Sequence, residues 1–246
     1  MRSSLAAFCW QALLAVIIIT IPCAWSQPGV DIFVTPVPGA PFSGVVNVER
    51  SALRPDGSVA NLKSIRNIAR DGHGRIHNES RTMIPVSSTA APVLIRIHLY
   101  DPQTRISTYL DPQNRSFRTT TVSHPPSVVP PTVRYGSPSD NGLPQNEFSK
   151  EEDLGTQEIE GVLAHGVRAT QTIPAESSET GTEVVVTDEY WYSDELRINV
   201  LMKHNDPRKG TVTMRVTQIN RGEPDASLFE IPEGYARAGM SSEAKQ

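Results

Sequence analysis

The side chains in this chain with chemistry to offer are few. His73 and His77 stand four apart, and Glu79 follows two residues later. Imidazoles at that spacing can hold one ion from the face of a helix. In extended backbone the same spacing separates them by roughly 13 Å. Asp71-Gly72-His73-Gly74 reads as a Gly-rich turn between two polar–apolar runs, so the expectation is solvated turn residues, and no metal is assigned. Glu158 and Glu160 share a strand face, as do Asp188 and Tyr190. Paired carboxylates do acid–base work when their pKa values are driven apart, but charges on the outer face of a strand are the commoner case. His165 shares parity with Leu163 and Val167, which points it inward as a hydrogen-bonded structural residue. The chain has no G-x-S-x-G and no phosphate-cradling glycine loop. It reads as a non-enzymatic protein without a cofactor.

The apolar residues give a sharper candidate. Trp191, flanked by Tyr190 and Tyr192, forms the densest aromatic cluster. Ile198, Val200 and Met202 define one face of the next run, and Val212, Met214 and Val216 one face of the run after it. These seven residues, Trp191 included, are the candidate contacts for an apolar ligand such as a lipid or acyl chain. They are simply core if the surface they form is closed.

Alternation carries the fold. Val46 and Val48 mark a first strand over 43–50. Leu62, Ile65 and Ile68 suit a helix by spacing, but the Gly-rich turn that follows favours a strand and hairpin. Val93, Ile95, Ile97 and Leu99 alternate with Leu94, Arg96, His98 and Tyr100. Two Asp-Pro-Gln turns, at Asp101 and Asp111, then join short strands into a meander, since Pro fixes φ and Asp bonds back to the chain. Ile159, Leu163, Val167, Ala169 and Ile173 share one parity, with Gly161 and Gly166 as bulges. A strand over 183–192 comes next, and Glu223-Pro224-Asp225 opens one helical turn around Leu228 and Phe229. About nine or ten strands and almost no helix give a mostly β fold, an antiparallel meander curled into a half-barrel or open barrel, with a β-sandwich as the alternative.

Residues 1–26 read as a cleavable signal peptide. Arg2 precedes an apolar run from Leu5 to Ile21, and Ala24-Trp25-Ser26 supplies the small residues of a cleavage site. A retained anchor and a lipidated Cys23 are the alternatives; Gln11 and Pro22 disfavour the first, and Pro22 before the cysteine disfavours the second. Both cysteines, Cys9 and Cys23, fall in the leader, so the exported chain is held without disulfides, in the periplasm or outside the cell, with no membrane span left after cleavage. Residues 27–41 read as a flexible N-terminal segment, 42–122 and 153–235 as the β domain, 123–152 as a Pro-rich linker or inserted loop, and 236–246 as a frayed tail. The net charge of −4 and the absence of a basic stripe exclude a nucleic-acid surface. A protein partner of the cell envelope, met through a sheet edge or the Pro-rich span, is the alternative to a lipid.

Several stretches resemble motifs of uncharacterised exported β-proteins of soil bacteria. They are Arg70-Asp71-Gly72 with Gly74-Arg75, residues 153–162, Thr170 to Pro174, Glu189-Tyr190-Trp191-Tyr192-Ser193, His204 to Arg208, and Arg221-Gly222-Glu223-Pro224-Asp225 through Phe229 and Pro232. More distantly, the run of strands, the Asp-Pro turns and the Phe-x-x-Pro ending are similar to the periplasmic lipoprotein-carrier (LolA/LolB-like) half-barrel. That resemblance implies an open sheet whose apolar concavity holds acyl chains. The carriers cover the concavity with helices, and no strong helix is legible here.

Overall fold

A computed structural model describes residues 32–123 and 148–238. The expected leader and residues 124–147 of the Pro-rich span fall outside these residues. The described chain forms one sheet of 13 strands in the order β13-β7-β6-β5-β3-β2-β1-β12-β11-β10-β9-β8, with the short β4 pairing β2 off this path. The sheet is open and curled and does not close into a barrel. Its strands are β1 (Phe42–Leu53), β2 (Val59–Arg70), β3 (Ile76–Arg81), β4 (Ile84–Pro85), β5 (Leu94–Asp101), β6 (Ile106–Asp111), β7 (Ser116–Thr121), β8 (Ser149–Ile159), β9 (Val162–Ile173), β10 (Val184–Ser193), β11 (Ile198–Asp206), β12 (Gly210–Asn220) and β13 (Ala236–Arg237). Two antiparallel meanders, β1 to β7 and β8 to β12, meet where β12 lies along β1. The expected curled antiparallel architecture is what forms.

One turn design recurs. A polar residue closes a strand and its side chain accepts backbone N–H groups two or three residues on; the fifth residue takes a left-handed φ. Asp101 Oδ1 accepts from Gln103 N at 2.8 Å, and Arg105 has φ 57°. Asp111 Oδ1 accepts from Gln113 N at 3.0 Å, and Arg115 has φ 45°. Ser193 Oγ accepts from Leu196 N at 3.3 Å before Arg197 at φ 55°. Asp206 Oδ1 accepts from Arg208 N at 2.9 Å before Gly210. A tight turn followed by a left-handed residue matches the twist of the flanking strands.

Four departures from the sequence reading have local causes. Gly161 is not a bulge: Glu160 (φ 52°) and Gly161 (φ 73°) form a two-residue hairpin turn between β8 and β9, the geometry that requires positive φ at both positions. Ile159 and Leu163 therefore do not share a face, and Leu163 is 65% exposed while Val162 and Ala164 are buried. The segment expected to be flexible up to residue 41 is packed from Ile32 onward: Ile32, Val34 and Val37 are buried. β8 begins at Ser149, inside the span expected as linker. The tail expected to fray from 236 instead pairs parallel to β7, with Ala236 N donating to Arg115 O at 2.9 Å and Ala238 N to Phe117 O at 2.7 Å.

Buried Arg70 ties the N-terminal segment down. Its side chain is 0% exposed. Nε and NH2 donate to Ala40 O at 2.8 and 2.7 Å, NH1 to Thr35 O at 2.8 Å, and NH2 also to Leu196 O at 2.7 Å. The guanidinium lies 5.0 Å from the centre of the Phe42 ring. Burial brings Arg70 down to about 10, which leaves it charged at neutral pH.

Candidate functional site

Residues directly opposite one another in an antiparallel pair share a face, so the register lays the candidate residues out in ranks. One rank runs Ser64–Val48–Met214–Met202–Tyr190–Val167 across β2, β1, β12, β11, β10 and β9. Alongside it stand Val46 and Val216, which pair directly, and Val200, next to Leu201, the partner of Arg215. Val46, Val48, Val200, Met202, Tyr190, Val167 and Val216 are buried and Met214 is half-buried. The next rank is polar: Arg50–Val212–His204–Asp188–Ala169. His204 Nδ1 lies 2.7 Å from Asp188 Oδ1 there. Across β1 the apolar ranks also end, at Ser64 and Arg66; the Arg66 guanidinium reaches Met214 Sδ at 3.7 Å.

The seven candidates therefore do not form one surface. Val200, Met202, Val212, Met214 and Val216 lie together, with Val212 and Met214 half-buried. Ile198 is buried at the far end of β11, past the bulge at Trp191/Tyr192. Trp191 points to the opposite face, because it pairs with Leu201 and Gly166 while its neighbour Tyr190 pairs with Met202. Its ring covers Gly166, where an added Cβ would sit 2.6 Å from the indole. Trp191 Nε1 donates to Glu189 Oε1 at 2.8 Å, and Lys203 Nζ reaches the same oxygen at 2.7 Å. Burial raises Glu189, but the hydrogen bonds from Lys203, Trp191 and Arg168 outweigh it and hold the carboxyl below its usual range. Trp191 in this setting is a packed structural residue over a glycine.

The histidines separate as well. His73 is exposed, with Nδ1 at 3.8 Å from Asp71 Oδ2. His77 is buried on β3 and bonds the Leu228 carbonyl through Nδ1 at 2.7 Å, so it is no solvated turn residue. His165 is partly exposed and bonds Asp153 Oδ1 at 2.7 Å. Glu158 is exposed and Glu160 lies in the hairpin turn.

The motif residues quoted above are largely structural. Asp71 Oδ1 takes Arg75 N at 2.7 Å and His73 N at 3.0 Å, and Oδ2 takes Arg75 Nε at 2.6 Å. The Glu223 carboxylate accepts Gly72 N at 3.0 and 3.1 Å, which joins the two motif regions across 151 residues. Arg221 bonds the Glu195 carboxylate and the Gly161 carbonyl. Asp225 caps the 3-10 turn Ala226–Phe229 by accepting Ser227 N at 2.9 Å. This turn lies on β3, and Arg75, just before that strand, stands 5.1 Å from the Phe229 ring centre.

Glu79, on β3, is the most perturbed carboxyl. Burial raises it, and His77, the Arg81 guanidinium and the Asn67 N–H together outweigh burial and bring it down to about 2. A carboxyl lowered on folding stabilises the protein above its unfolded value, and that contribution is lost as pH falls through the folded value. In urea titrations the wild type should therefore lose on the order of 2–3 kcal/mol from this group between about pH 4.5 and pH 2. Glu79→Gln should flatten that part of the stability profile; an unchanged acid limb would mean that Glu79 is not held ionised by its neighbours.

Among the described residues, no helix is long and apolar enough to cross a membrane. No protein-family model matches the chain, and no curated protein matches it either. Among solved structures it is similar to the MucA/MucB complex of Pseudomonas aeruginosa, with 12% identity, 77% of this chain and 55% of that chain covered, and a TM-score of 0.39. The chain thus spans little more than half of that neighbour. It is also similar to a LolA superfamily protein of Nitrosomonas europaea, with 12% identity over 79% of this chain and 91% of that chain and a TM-score of 0.31. LprF of Mycobacterium bovis matches at 11% identity over 76% of this chain and 90% of that chain, with a TM-score of 0.28. These are distant likenesses of sheet architecture, and they assign no ligand to this chain.

Proposed function

We propose that this protein is an exported, non-enzymatic binder of an apolar ligand, a lipid or acyl chain, held against the face that carries Val46, Val48, Val200, Met202, Met214 and Val216. The observation that carries this reading is the registered apolar rank Val48–Met214–Met202–Tyr190–Val167 on an open sheet. Within the chain the rank is buried except at Met214, which stays half-buried, so a ligand would enter at Met214 and take the place of the chain's own packing. Two methionines stand side by side at its centre. Unbranched, polarisable side chains adapt to ligands of variable shape. The flanking His204–Asp188 pair and Arg66 give the strip polar borders suited to an amphiphile.

Native mass spectrometry of protein purified from its own host should show a co-purifying lipid. A fluorescent fatty acid should bind the delipidated wild type, and Met214→Glu, whose carboxylate would meet the neighbouring Arg66 guanidinium, should weaken it at least tenfold with little change in melting temperature. Clean apo protein that fails to bind the probe would sink the reading. A protein partner is the second reading, favoured by the 11-residue edge strand β8, which among the described residues pairs on one side only; a strand-adding peptide would occupy it.

A further inference from the structure

On the opposite face, beneath the 3-10 turn Ala226–Phe229, lies a cavity of about 280 Å³ whose walls include Asn67, His77, Glu79, Gln218 and Leu228. His77 and Glu79 stand two apart on β3 and so project from one face. His77 is 5% exposed and Glu79 8%. The Leu228 carbonyl can only accept, so the 2.7 Å bond to His77 Nδ1 places the proton on that nitrogen. Nε2, the other ring nitrogen, is buried without a hydrogen-bond partner. Glu79 Oε2 is taken by Arg81 Nε at 2.9 Å, by Arg81 NH2 at 2.7 Å and by Asn67 N at 3.4 Å. Oε1 faces His77 Nε2 at 3.7 Å, beyond hydrogen-bond reach.

A buried imidazole nitrogen and a buried carboxylate oxygen that face each other at 3.7 Å leave a gap that favours a positive charge, a proton or a metal ion. Zinc sits about 2.0–2.1 Å from imidazole nitrogen and about 2.0–2.2 Å from carboxylate oxygen. Those bond lengths span the observed gap at an angle of roughly 130°, within reach of a distorted four- or five-coordinate site. The outer partners fit as well. A metal-bound histidine almost always donates its second N–H to a carbonyl or carboxylate, and a metal-bound carboxylate is itself hydrogen-bonded. His77 and Glu79 have these partners in Leu228, Arg81 and Asn67. Imidazole with carboxylate suits zinc-class divalent ions rather than calcium or magnesium.

We infer that His77 Nε2 and Glu79 Oε1 are the two protein ligands of a divalent transition-metal site whose remaining positions open into the cavity. The site is independent of the apolar ranks, and its failure would leave the lipid reading untouched. A surface trio, Asp71, His73 and Glu223, also has ligand atoms within 4.8 Å of one another. Its carboxylates already serve the Gly72, His73 and Arg75 donors, which makes it the natural control.

The test is a Co²⁺ titration of the untagged, EDTA-stripped chain, read from the visible absorption of bound cobalt, with Zn²⁺ as competitor. One saturable equivalent is expected, displaced by Zn²⁺. His77→Gln and Glu79→Gln should each weaken it at least tenfold, and His73→Gln should leave it unchanged. Wild-type protein that binds no metal overturns the proposal and leaves a proton as the sole occupant of the gap. Loss of binding in His73→Gln overturns it too, by moving the ion to the surface trio. Should the His77 variant fail to fold, the wild-type ¹⁵N spectrum decides: zinc must shift one Nε2 resonance of a histidine whose Nδ1 is protonated, and an unshifted His77 overturns the assignment.

Discussion

Arg70→Met should cost about 3–5 kcal/mol of folding stability, because it removes the donors of buried carbonyls. Methionine fills a similar volume, so little cavity term is added. What changes is that the Ala40 and Leu196 carbonyls lose their donor and Thr35 O keeps only Val37 N, at 2.9 Å, and each buried acceptor left unmet costs about 1–3 kcal/mol. These carbonyls belong to three separate stretches of chain: the N-terminal segment, the lead-in to β1, and the β10–β11 turn. Arg70→Lys keeps the charge but not the planar fork, and a single ammonium cannot span all three carbonyls. It should recover only part of the loss, about 1–2 kcal/mol by the same reckoning. Urea denaturation followed by circular dichroism gives both numbers. Hydrogen exchange adds a local readout, because the Gly39 amide, bonded to Gly72 O at 3.0 Å, should exchange much faster in Arg70→Met. A wild-type midpoint in that variant would show that the guanidinium holds nothing together.

Arg70 also marks the limit of what alternation reveals. The β-branched runs at Val46–Val48 and Ile198–Met202 announce strands, and the Asp-Pro-Gln turns announce their ends, because both are properties of a few consecutive residues. The role of Arg70 depends on residues 30, 35 and 126 positions away, and no local pattern encodes those partners. The packing of Ile32 and Val34 was hidden for the same reason: the Pro- and Gly-rich stretch around them looks loose until the cation that gathers its carbonyls is in place. Within 159–173 the failure was of period. Glu160-Gly161 is a hairpin turn, and a turn of two residues resets which parity faces inward.

The candidate site was legible strand by strand and not across strands. Parity along β10 shows that Tyr190 and Trp191 face apart. Only the pairing of Tyr190 with Met202 shows which of them joins the methionines. Size and aromaticity favoured Trp191, and the register chose Tyr190. The buried pair His77–Glu79 had its own obscuring factor. Beside Gly72 and Gly74 these residues look like turn chemistry, and the carbonyl that buries and orients His77 comes from Leu228, at the other end of the chain.

Gly210→Ala should be at least as damaging as the loss of Arg70, about 4 kcal/mol or more, through steric overlap at a special backbone angle. Gly210 has φ +110°, and a Cβ built there would lie 1.8 Å from Ser51 O and 2.7 Å from Ser51 C. Both atoms are backbone, so no side chain can move aside. Gly57→Ala is the matched control. It also has a left-handed φ, +80°, but open space around the new methyl, so only the conformational term of about 1–2 kcal/mol remains. Equal midpoints for the two variants in urea would show that the contact with β1 does not matter. The location gives the contact its weight. Gly210 opens β12 and pairs with Ala52, at the seam where the two meanders join. The neighbouring bond from Leu53 N to Lys209 O, 3.1 Å long, lies on the same seam. Every rank that crosses from Val48 to Met214 depends on this register, and a slip of one residue would turn Val212, Met214 and Val216 to the other face. Any Gly210→Ala protein that still folds should therefore bind the fluorescent fatty acid more weakly even where its strand content is unchanged.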